Sequence, residues 1–283
     1  MRVMVHGGAG GPVDEPATRQ SHLERAAEIG CDSTDPVSAA VAAVRELEAT
    51  PGFNAGTGSA VQSDGRIRTD AGVMDGRGTV GAACAMEDVE YAADVAEIVA
   101  TETPHVLVAG QQATALAKAF EIPTECDLWT EETRAKWETF DPPTGDTQRH
   151  LKWVRETFGG HDTVGAVATD ETTVAAVTST GGRGCALAGR VGDVPQVGAG
   201  FFATERAAAS ATGAGEAIAR FGLAREAATA ASELHPQLAA DHAIREFEEE
   251  TGEEAGVIVI DVDGRTGSEY NSAAMQTAVD EWD

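Results

Sequence analysis

Apolar residues recur at helical spacing in five segments of the chain. In the clearest of them the pattern follows Asp35 and Pro36, which are residue types favoured at the N-cap and in the first turn of a helix. The core-facing positions of that segment are Val37, Ala40, Val41, Val44 and Leu47. The same spacing predicts further helices over residues 88–100, 110–120, 223–234 and 238–250.

Short apolar runs bounded by turn residues predict strands. These runs lie at residues 2–5, 164–169, 173–177 and 257–260. Residues 61–76 alternate around Asp64 and Gly65, which is a good hairpin turn. In residues 207–219 the alanines favour a helix, whereas the glycines favour a strand with close backbone approach. Strands at both ends and in the centre, with paired helices between them, predict an α+β protein with helices layered over sheet.

Residues 121–162 differ in kind from the rest of the chain. They are rich in proline, glycine and charged residues, and they contain three of the four tryptophans, Trp129, Trp137 and Trp153. This composition predicts a long, flexible surface linker with a little helix. Such long connections within a compact domain are usually functional or disordered.

The composition is that of one globular domain spanning residues 1–283, since 42% hydrophobic residues can form a sizeable core. The four cysteines lie far apart and form no metal or redox motif, which favours free thiols in a reducing cytosol. They are Cys31, Cys84, Cys126 and Cys185. We find neither a signal peptide nor an apolar run of membrane-spanning length, so we expect a cytoplasmic protein.

The charge balance is strongly acidic. Acidic residues number 47 and basic residues 20, which gives a formal net charge of -27, and only Lys118, Lys136 and Lys152 are lysines. Such a field repels nucleic acids and anionic membranes, so we expect neither as a partner. Acidity with few lysines indicates a halophilic protein from a high-salt cytoplasm, and the alternative is a merely acidic protein.

Thr163 is the candidate nucleophile. It follows His161 and Asp162 and precedes a short apolar run. If the backbone is cut before Thr163, this residue supplies a hydroxyl nucleophile and a new α-amino group, whose pKa is roughly 7.7 to 8.0. The alternative is an ordinary threonine that opens a strand.

Five further residues would complete an acyl-transfer site. Three of them would position the nucleophile or bind the substrate, and two would donate to the oxyanion. Thr180 ends the neighbouring predicted strand, where its hydroxyl would orient Thr163. Arg190 and Asp193 offer a guanidinium for a carboxylate and a carboxylate for an ammonium group, as recognition of an amino acid requires. Their alternative is a surface ion pair.

Two residues further along are candidate donors to an oxyanion. They are the Thr212 hydroxyl and the Gly213 backbone N–H, because glycine permits close approach of an acyl oxygen. Their alternatives are a strand residue and a turn. His6 opens a glycine-rich segment, where a structural histidine is favoured over a catalytic base.

Seven motifs, in order and spacing over nearly the whole chain, resemble those of the isoaspartyl peptidase and plant-type L-asparaginase family of N-terminal-nucleophile hydrolases. The motifs are HGGAGG at residues 6–11, FNAGTGS at 53–59, DAGVMDG at 70–76, TVGAVATD at 163–170, TSTGG at 178–182, GRVGD at 189–193 and TGAGE at 212–216.

The resemblance implies a four-layer αββα sandwich that is made as an inactive precursor. The precursor would cut itself between Asp162 and Thr163 into an α subunit of residues 1–162 and a β subunit of residues 163–283. Two such αβ units would form a homodimer, which acts on a small-molecule substrate.

The resemblance also implies roles for the matching residues. Thr163 would be nucleophile and base, Thr180 would position it, and Asn54 would help to shape the site. Arg190 and Asp193 would hold the substrate's α-groups, while Thr212 and Gly213 would form the oxyanion hole. No cofactor is expected, apart from a structural sodium ion that the family can hold in the preceding loop, here around Leu47, Glu48, Phe53 and Asn54.

Two departures from the family pattern bear on specificity. Residues 183–188 read RGCALA where the asparaginases usually have Met-Thr/Ser-Asn-Lys or similar, and Asp162 stands where they usually have glycine. His161-Asp162-Thr163 resembles glycosylasparaginase, and its Asp-Thr also resembles threonine aspartase. The leading hypothesis is hydrolysis of L-asparagine and β-aspartyl dipeptides. The alternatives are a glycosylasparaginase and an uncleaved, non-catalytic amino-acid-binding member.

Overall fold

The computed structural model describes residues 1–142, 145, 147–157, 159–161 and 163–282. Its strands are β1 Arg2–Gly10, β2 Arg68–Asp75, β3 Val80–Glu87, β4 Leu107–Ala109, β5 Gly159–His161, β6 Val164–Thr169, β7 Val174–Thr180, β8 Arg183–Gly184, β9 Phe201–Ala203, β10 Ala207–Gly213, β11 Ala255–Asp261, β12 Thr266–Tyr270 and β13 Ala274–Glu281. Its helices are α1 Pro16–Cys31, α2 Pro36–Glu48, α3 Ala92–Glu102, α4 Gln111–Ala119, α5 Glu131–Thr139, α6 Thr147–Thr157, α7 Gly215–Phe221, α8 Leu223–Ala231 and α9 Pro236–Thr251.

Two sheets carry the core. The larger has the strand order β13-β1-β6-β7-β2-β3-β4, and the smaller has the order β12-β11-β10-β9. Helices α1, α2 and α3 pack on the larger sheet, and α8 and α9 pack on the smaller one. The sheets face each other across apolar side chains that include Met4, Val167, Ala176, Phe201 and Ile258. The predicted α+β class is confirmed.

Helix α2 illustrates how a local signal fixes an element. Asp35 precedes it, and the Asp35 carboxylate accepts the backbone N–H groups of Val37 and Ser38, each at 3.1 Å. That cap satisfies donors that a helix leaves without a partner in its first turn. The other four predicted helices are also present, with shifted ends, as α3, α4, α8 and α9.

Other elements escaped the sequence patterns. Helix α1 buries mainly small side chains, including Ala26, Ala27, Gly30 and Cys31, so its apolar periodicity is weak. Strand β13 lies at the edge of the larger sheet with most of its side chains partly exposed, and its pattern is weak for that reason. Residues 207–219 divide into the buried strand β10 followed by helix α7.

The segment from residue 121 to 162 contains the helices α5 and α6 and the short strand β5. Its tryptophans form a chain of edge contacts, with ring centroids 6.5 Å apart for Trp129 and Trp137 and 5.9 Å apart for Trp137 and Trp153. The segment is therefore more helical than the sequence indicated, and its flexibility stays a prediction. None of the helices in the described ranges combines the length and apolar character needed to cross a bilayer.

Gly72 is a point where the two sheets leave no room for a side chain. A Cβ atom there would overlap the ring of the buried Phe201 on β9. We expect Gly72→Ala to destabilise the protein by about 1–3 kcal/mol, as overpacking does in other cores. Gly11→Ala is the control, because Gly11 is exposed and no atom lies within 4 Å of a Cβ built there. Denaturant unfolding measures both variants, and equal midpoints would contradict the expectation.

The acidic surface predicts that salt stabilises the fold. With a formal net charge of -27, repulsion between like charges opposes the compact state, and at about 1 M salt the screening length falls to roughly 3 Å. We expect the thermal unfolding midpoint to rise continuously from low salt to about 1 M KCl, where surface charges are well screened. A midpoint that is constant or falls over this range would argue against the halophilic interpretation.

Candidate active site

Thr163 lies directly before β6 and is 5% exposed. The strands β6 and β7 pair with Val164 opposite Ser179, so Thr163 is next to Thr180 across the ladder. The Thr163 hydroxyl donates a hydrogen bond of 3.4 Å to the Thr180 hydroxyl oxygen. The structure therefore brings together the two threonines that the sequence predicted as nucleophile and positioning residue. Asp162 lies outside the described residues.

Asn54 reaches the same place from the loop after α2. Its side-chain N–H₂ group donates to the Gly182 carbonyl at 2.6 Å and to the Thr180 hydroxyl oxygen at 3.5 Å. Its side-chain oxygen accepts the Ala60 N–H at 2.8 Å, which fixes the orientation of the amide. Asn54 thus joins the loop to the end of β7, as expected for a residue that shapes this site.

Arg190 and Asp193 lie in the loop between β8 and β9, and they do not form a surface ion pair. Arg190 Nε instead donates to Glu216 Oε1 at 2.9 Å, and Asp193 is only 5% exposed. Arg190 Nη2 and Asp193 Oδ2 are buried, and neither has a hydrogen-bond partner within the described part of the chain. Such unpaired buried groups are costly unless a ligand pairs with them.

The two side chains converge on Gly215, at the start of α7. A Cβ built on Gly215 would lie 2.6 Å from Asp193 Oδ1 and 2.7 Å from Arg190 Nη2. Burial raises the pKa of Asp193 to about 6, although the nearby Arg190 lowers it. Above that pH the site therefore offers one cation and one anion side by side, and this arrangement matches the zwitterionic end of an amino acid.

Thr212 and Gly213 end strand β10, in the sheet that faces Thr163 and Thr180. The Thr212 hydroxyl oxygen accepts a hydrogen bond from the backbone N–H of Ala9 at 3.1 Å. This bond does not use the proton of the Thr212 hydroxyl, which is the proton that an oxyanion donor would supply. Gly213 has a φ of +134°, a backbone conformation that L side chains rarely adopt. Their predicted role as oxyanion donors is compatible with this placement and stays a prediction.

His6 is fully buried between the sheets and is part of a hydrogen-bond chain. Its Nε2 lies 2.8 Å from the Ser210 hydroxyl, which lies 2.7 Å from the Thr178 hydroxyl. The Thr178 hydroxyl donates its one proton to the Gly200 carbonyl. The Ser210 hydroxyl must therefore donate to the Thr178 oxygen, and its own oxygen accepts a hydrogen from His6 Nε2. Burial lowers the pKa of His6 to about 3, although a hydrogen bond to the Thr163 backbone raises it. His6 is thus a neutral structural histidine.

The loop around Glu48 is where the sequence placed a structural sodium ion. The backbone carbonyls of Leu47, Glu48 and Asn54 each accept a backbone N–H, from Thr50, Thr57 and Gly181 respectively. Burial raises the pKa of the Glu48 carboxyl to about 8, although Ser179 donates to it at 2.6 Å. The sodium ion around Leu47, Glu48, Phe53 and Asn54 stays a prediction.

One other group of side chains within the described ranges has the spacing of metal ligands. Glu226, His242 and Glu246 place their ligand atoms within 4.8 Å of one another on α8 and α9. However, Arg245 Nη2 lies 3.1 Å from His242 Nδ1 and can only donate. The His242 hydrogen then sits on Nε2, which faces Glu246 at 3.5 Å, so this arrangement does not favour a metal ion.

A cavity of about 530 Å³ lies beside the site, between the loop after α2 and helix α5. Asn54, Trp137, Gly184 and Cys185 are among its lining residues. The unusual loop at residues 183–188 therefore borders this cavity through Gly184 and Cys185. Its first residue, Arg183, pairs with Glu216, with Nη1 and Oε2 3.3 Å apart.

The structure places two further carboxyl groups at the site, those of Asp70 and Glu216. The sequence analysis gave neither of them a role. Glu216 holds Arg190, as described above. Asp70 is buried on β2 and lies opposite Thr180 in the β2–β7 ladder. The sequence signal for both was their position within shared motifs, DAGVMDG and TGAGE. Motif membership alone does not say which side of a strand a residue occupies.

The chain is similar to known proteins over its whole length. The profile of the family described as "Asparaginase" matches residues 1–283. The chain is 38% identical to a plant-type L-asparaginase of Pyrobaculum calidifontis, over 96% of this chain and 94% of that protein. It is 36% identical to a plant-type L-asparaginase of Pyrococcus abyssi, over 98% and 95%. It is 37% identical to an isoaspartyl peptidase/L-asparaginase of Homo sapiens, over 79% and 74%. The chain therefore belongs to the asparaginase family of hydrolases.

Proposed function

We propose that the enzyme cuts itself before Thr163 and then hydrolyses L-asparagine and β-aspartyl dipeptides. The observation that carries this proposal is the pair of buried, unpartnered atoms Arg190 Nη2 and Asp193 Oδ2, together with the hydrogen bond between the Thr163 and Thr180 hydroxyls. The pair matches a free α-carboxylate and a free α-ammonium group, which asparagine and β-aspartyl dipeptides both carry next to their side-chain amide.

In the proposed reaction Thr163 Oγ attacks the side-chain carbonyl carbon of the substrate, and the Thr163 α-amine takes the hydroxyl proton. Thr212 and Gly213 donate to the oxygen that becomes negative. The amide nitrogen leaves with a proton, as ammonia or as the amine of an amino acid. Water then hydrolyses the β-aspartyl ester, which releases aspartate and restores the Thr163 hydroxyl.

The wider proposal includes the architecture and assembly. The fold would be the four-layer αββα sandwich of N-terminal-nucleophile hydrolases, supported by two facing sheets with helices packed on each. The cut would give subunits of residues 1–162 and 163–283, and two such αβ units would associate. The acidic composition supports a high-salt cytoplasm as the place of action.

The alternative within this class is a glycosylasparaginase, because Asp162 before Thr163 resembles that group of enzymes. Asparagine, a β-aspartyl dipeptide and a glycosylated asparagine, each supplied to the purified protein at high salt, separate the alternatives. Release of aspartate from the first two supports the proposal, whereas turnover of the glycosylated substrate alone would overturn it. A single uncut chain without activity on any of the three would favour the non-catalytic, amino-acid-binding alternative.

A further inference from the structure

Three residues form a row across adjacent strands at the candidate site. Thr163 is next to Thr180 across the β6–β7 ladder, and Thr180 is directly opposite Asp70 across the β7–β2 ladder. Side chains of directly opposed residues lie on the same face of a sheet, with Cβ atoms about 4.5–5.5 Å apart. The Asp70 carboxyl therefore lies on the side of the sheet that Thr163 and Thr180 use, facing the second sheet.

A bulge in the neighbouring strand fixes the Asp70 carboxyl. The β2–β3 register pairs Thr69 with Met86 and Ala71 with Ala83, so two residues of β3 lie opposite Asp70. One of them, Ala85, has a φ of +52°, and its backbone N–H donates to Asp70 Oδ1 at 2.7 Å. Non-glycine residues with such a conformation often occur at functional sites. The second carboxyl oxygen of Asp70 is not used by this bond.

The surroundings of Asp70 suit a group that exchanges a proton near neutrality. Burial raises the pKa of Asp70 to about 7, although the hydrogen bond from the Ala85 backbone and the charge of Arg190 both lower it. The other ionisable groups facing it are Asp193, which raises its pKa, and the thiol of Cys84 on β3. Burial raises the pKa of Cys84 to about 12, and the thiol therefore stays neutral.

Among the described residues, two other buried ionisable groups near the threonines are less suited to accept a proton from Thr163. His6 holds its hydrogen toward Ser210, and burial lowers its pKa to about 3, so it binds a second proton poorly. Glu48 accepts a hydrogen bond from the Ser179 hydroxyl. Ser179 and Thr180 are neighbours on β7, so their side chains lie on opposite faces of the strand. The sheet thus separates Glu48 from the nucleophile.

The Thr180 hydroxyl lies between Thr163 and Asp70 in this row. The Thr180 hydroxyl oxygen accepts hydrogen bonds from the Thr163 hydroxyl at 3.4 Å and from the Gly182 N–H at 3.0 Å. Asp70 lies on the far side of Thr180 from Thr163.

We propose that Asp70, acting through Thr180, accepts the proton that the Thr163 hydroxyl loses when the chain cuts itself. This inference rests on the proposed function, because it concerns the self-cleavage step. Before the cut Thr163 has no free α-amine, so the base used later for substrate hydrolysis does not yet exist. Asp70 supplies a base for that first reaction and is a positioning residue of the nucleophile.

The step balances without a co-reactant other than water. The Thr163 proton moves to Thr180 while the Thr180 proton moves to Asp70, directly or through one water. Thr163 Oγ bonds to the carbonyl carbon of residue 162, the C–N bond breaks, and the nitrogen recovers the proton through the same path as the new α-amine. Water hydrolyses the resulting ester to a carboxyl group at residue 162 and the Thr163 hydroxyl.

The test measures the cleavage rate of the full chain. Wild type and variants are made by cell-free synthesis at high salt, and the conversion of full-length chain into two fragments is followed on denaturing gels at several pH values. Asp70→Asn keeps an oxygen that accepts the Ala85 N–H but removes the base. Asp75→Asn is the matched control, since Asp75 is a buried carboxylate at the other end of β2, bonded to the Arg77 and Thr79 N–H groups.

We expect Asp70→Asn to be cut about 100-fold more slowly than wild type, in line with the loss of a general base. The wild-type rate should rise with pH through about 7, because only the carboxylate accepts a proton, and Asp70→Asn should lose this rise. Asp75→Asn should behave as wild type, and Asp70→Glu should recover part of the rate.

Equal rates for Asp70→Asn and Asp75→Asn would overturn the inference while leaving self-cleavage intact. A pH-independent wild-type rate would also overturn it, whether or not Asp70→Asn folds, and thermal unfolding reports on its folding. A wild-type chain that is never cut would instead overturn the proposed function, and this inference with it.

Discussion

Thr163→Ala will remain a single uncut chain and will not hydrolyse L-asparagine. The substitution removes the hydroxyl that is 3.4 Å from Thr180, and without the cut no α-amine becomes available as a base. Both functions of the residue are lost together, so we expect activity to fall to background. Denaturing gels and intact mass measure the cut, and ammonia release from asparagine measures the reaction.

Two controls separate chemistry from folding in that experiment. Thr163→Ser keeps a hydroxyl and should still be cut, with reduced activity. Thr172→Ala removes a hydroxyl from an exposed turn near Asp170 and should match wild type in both assays. Two subunits in Thr163→Ala would place the cut elsewhere, and full activity in that variant would exclude Thr163 as the nucleophile.

Arg190→Ala will lose substrate binding but will still be cut into two subunits. Arg190 is held by Glu216 Oε1 at 2.9 Å, and its buried Nη2 has no hydrogen-bond partner among the described residues. Loss of one partner of a buried charge pair costs about 4 kcal/mol, which corresponds to a fall of roughly 10³-fold in kcat/KM. Steady-state kinetics with asparagine measure the loss, and gels measure the extent of cleavage.

The role of the Arg190 charge is distinguished from its packing by neighbouring variants. Glu216→Gln keeps a hydrogen-bond acceptor for Arg190 and should cost less than Arg190→Ala. Arg206→Ala removes an exposed arginine from the loop before β10 and should leave kcat/KM unchanged. If Arg190→Ala keeps the wild-type KM, Arg190 does not hold the substrate carboxylate, and the assignment of the pocket is wrong.

The sequence predicted elements best where local signals were strong. Helix α2 has a capping Asp35, a proline in its first turn and an apolar stripe, and each of these acts over a few residues. Elements built from small residues were harder to predict. In β10 the buried alanines pack against α8, so tertiary packing overrides the helical preference of alanine.

For the site, the sequence singled out Thr163, Thr180, Arg190 and Asp193 by residue type and motif. The structure pairs the two threonine hydroxyls and brings the two charged side chains together at Gly215. It could not tell that Arg190 is paired with Glu216 rather than with Asp193, because those contacts join separate loops. It also left the acids Asp70 and Glu216 without a role.

By itself, then, the sequence determined the family, the acidic surface, the locally encoded helices and the residue types of the candidate chemistry, because composition, motifs and caps are local properties of the chain. Only the tertiary structure decided which of these residues meet. Strand register, the bulge at Ala85 and the packing of one sheet on the other arise from contacts between residues far apart in sequence. Those contacts place Asp70 in one row with Thr180 and Thr163.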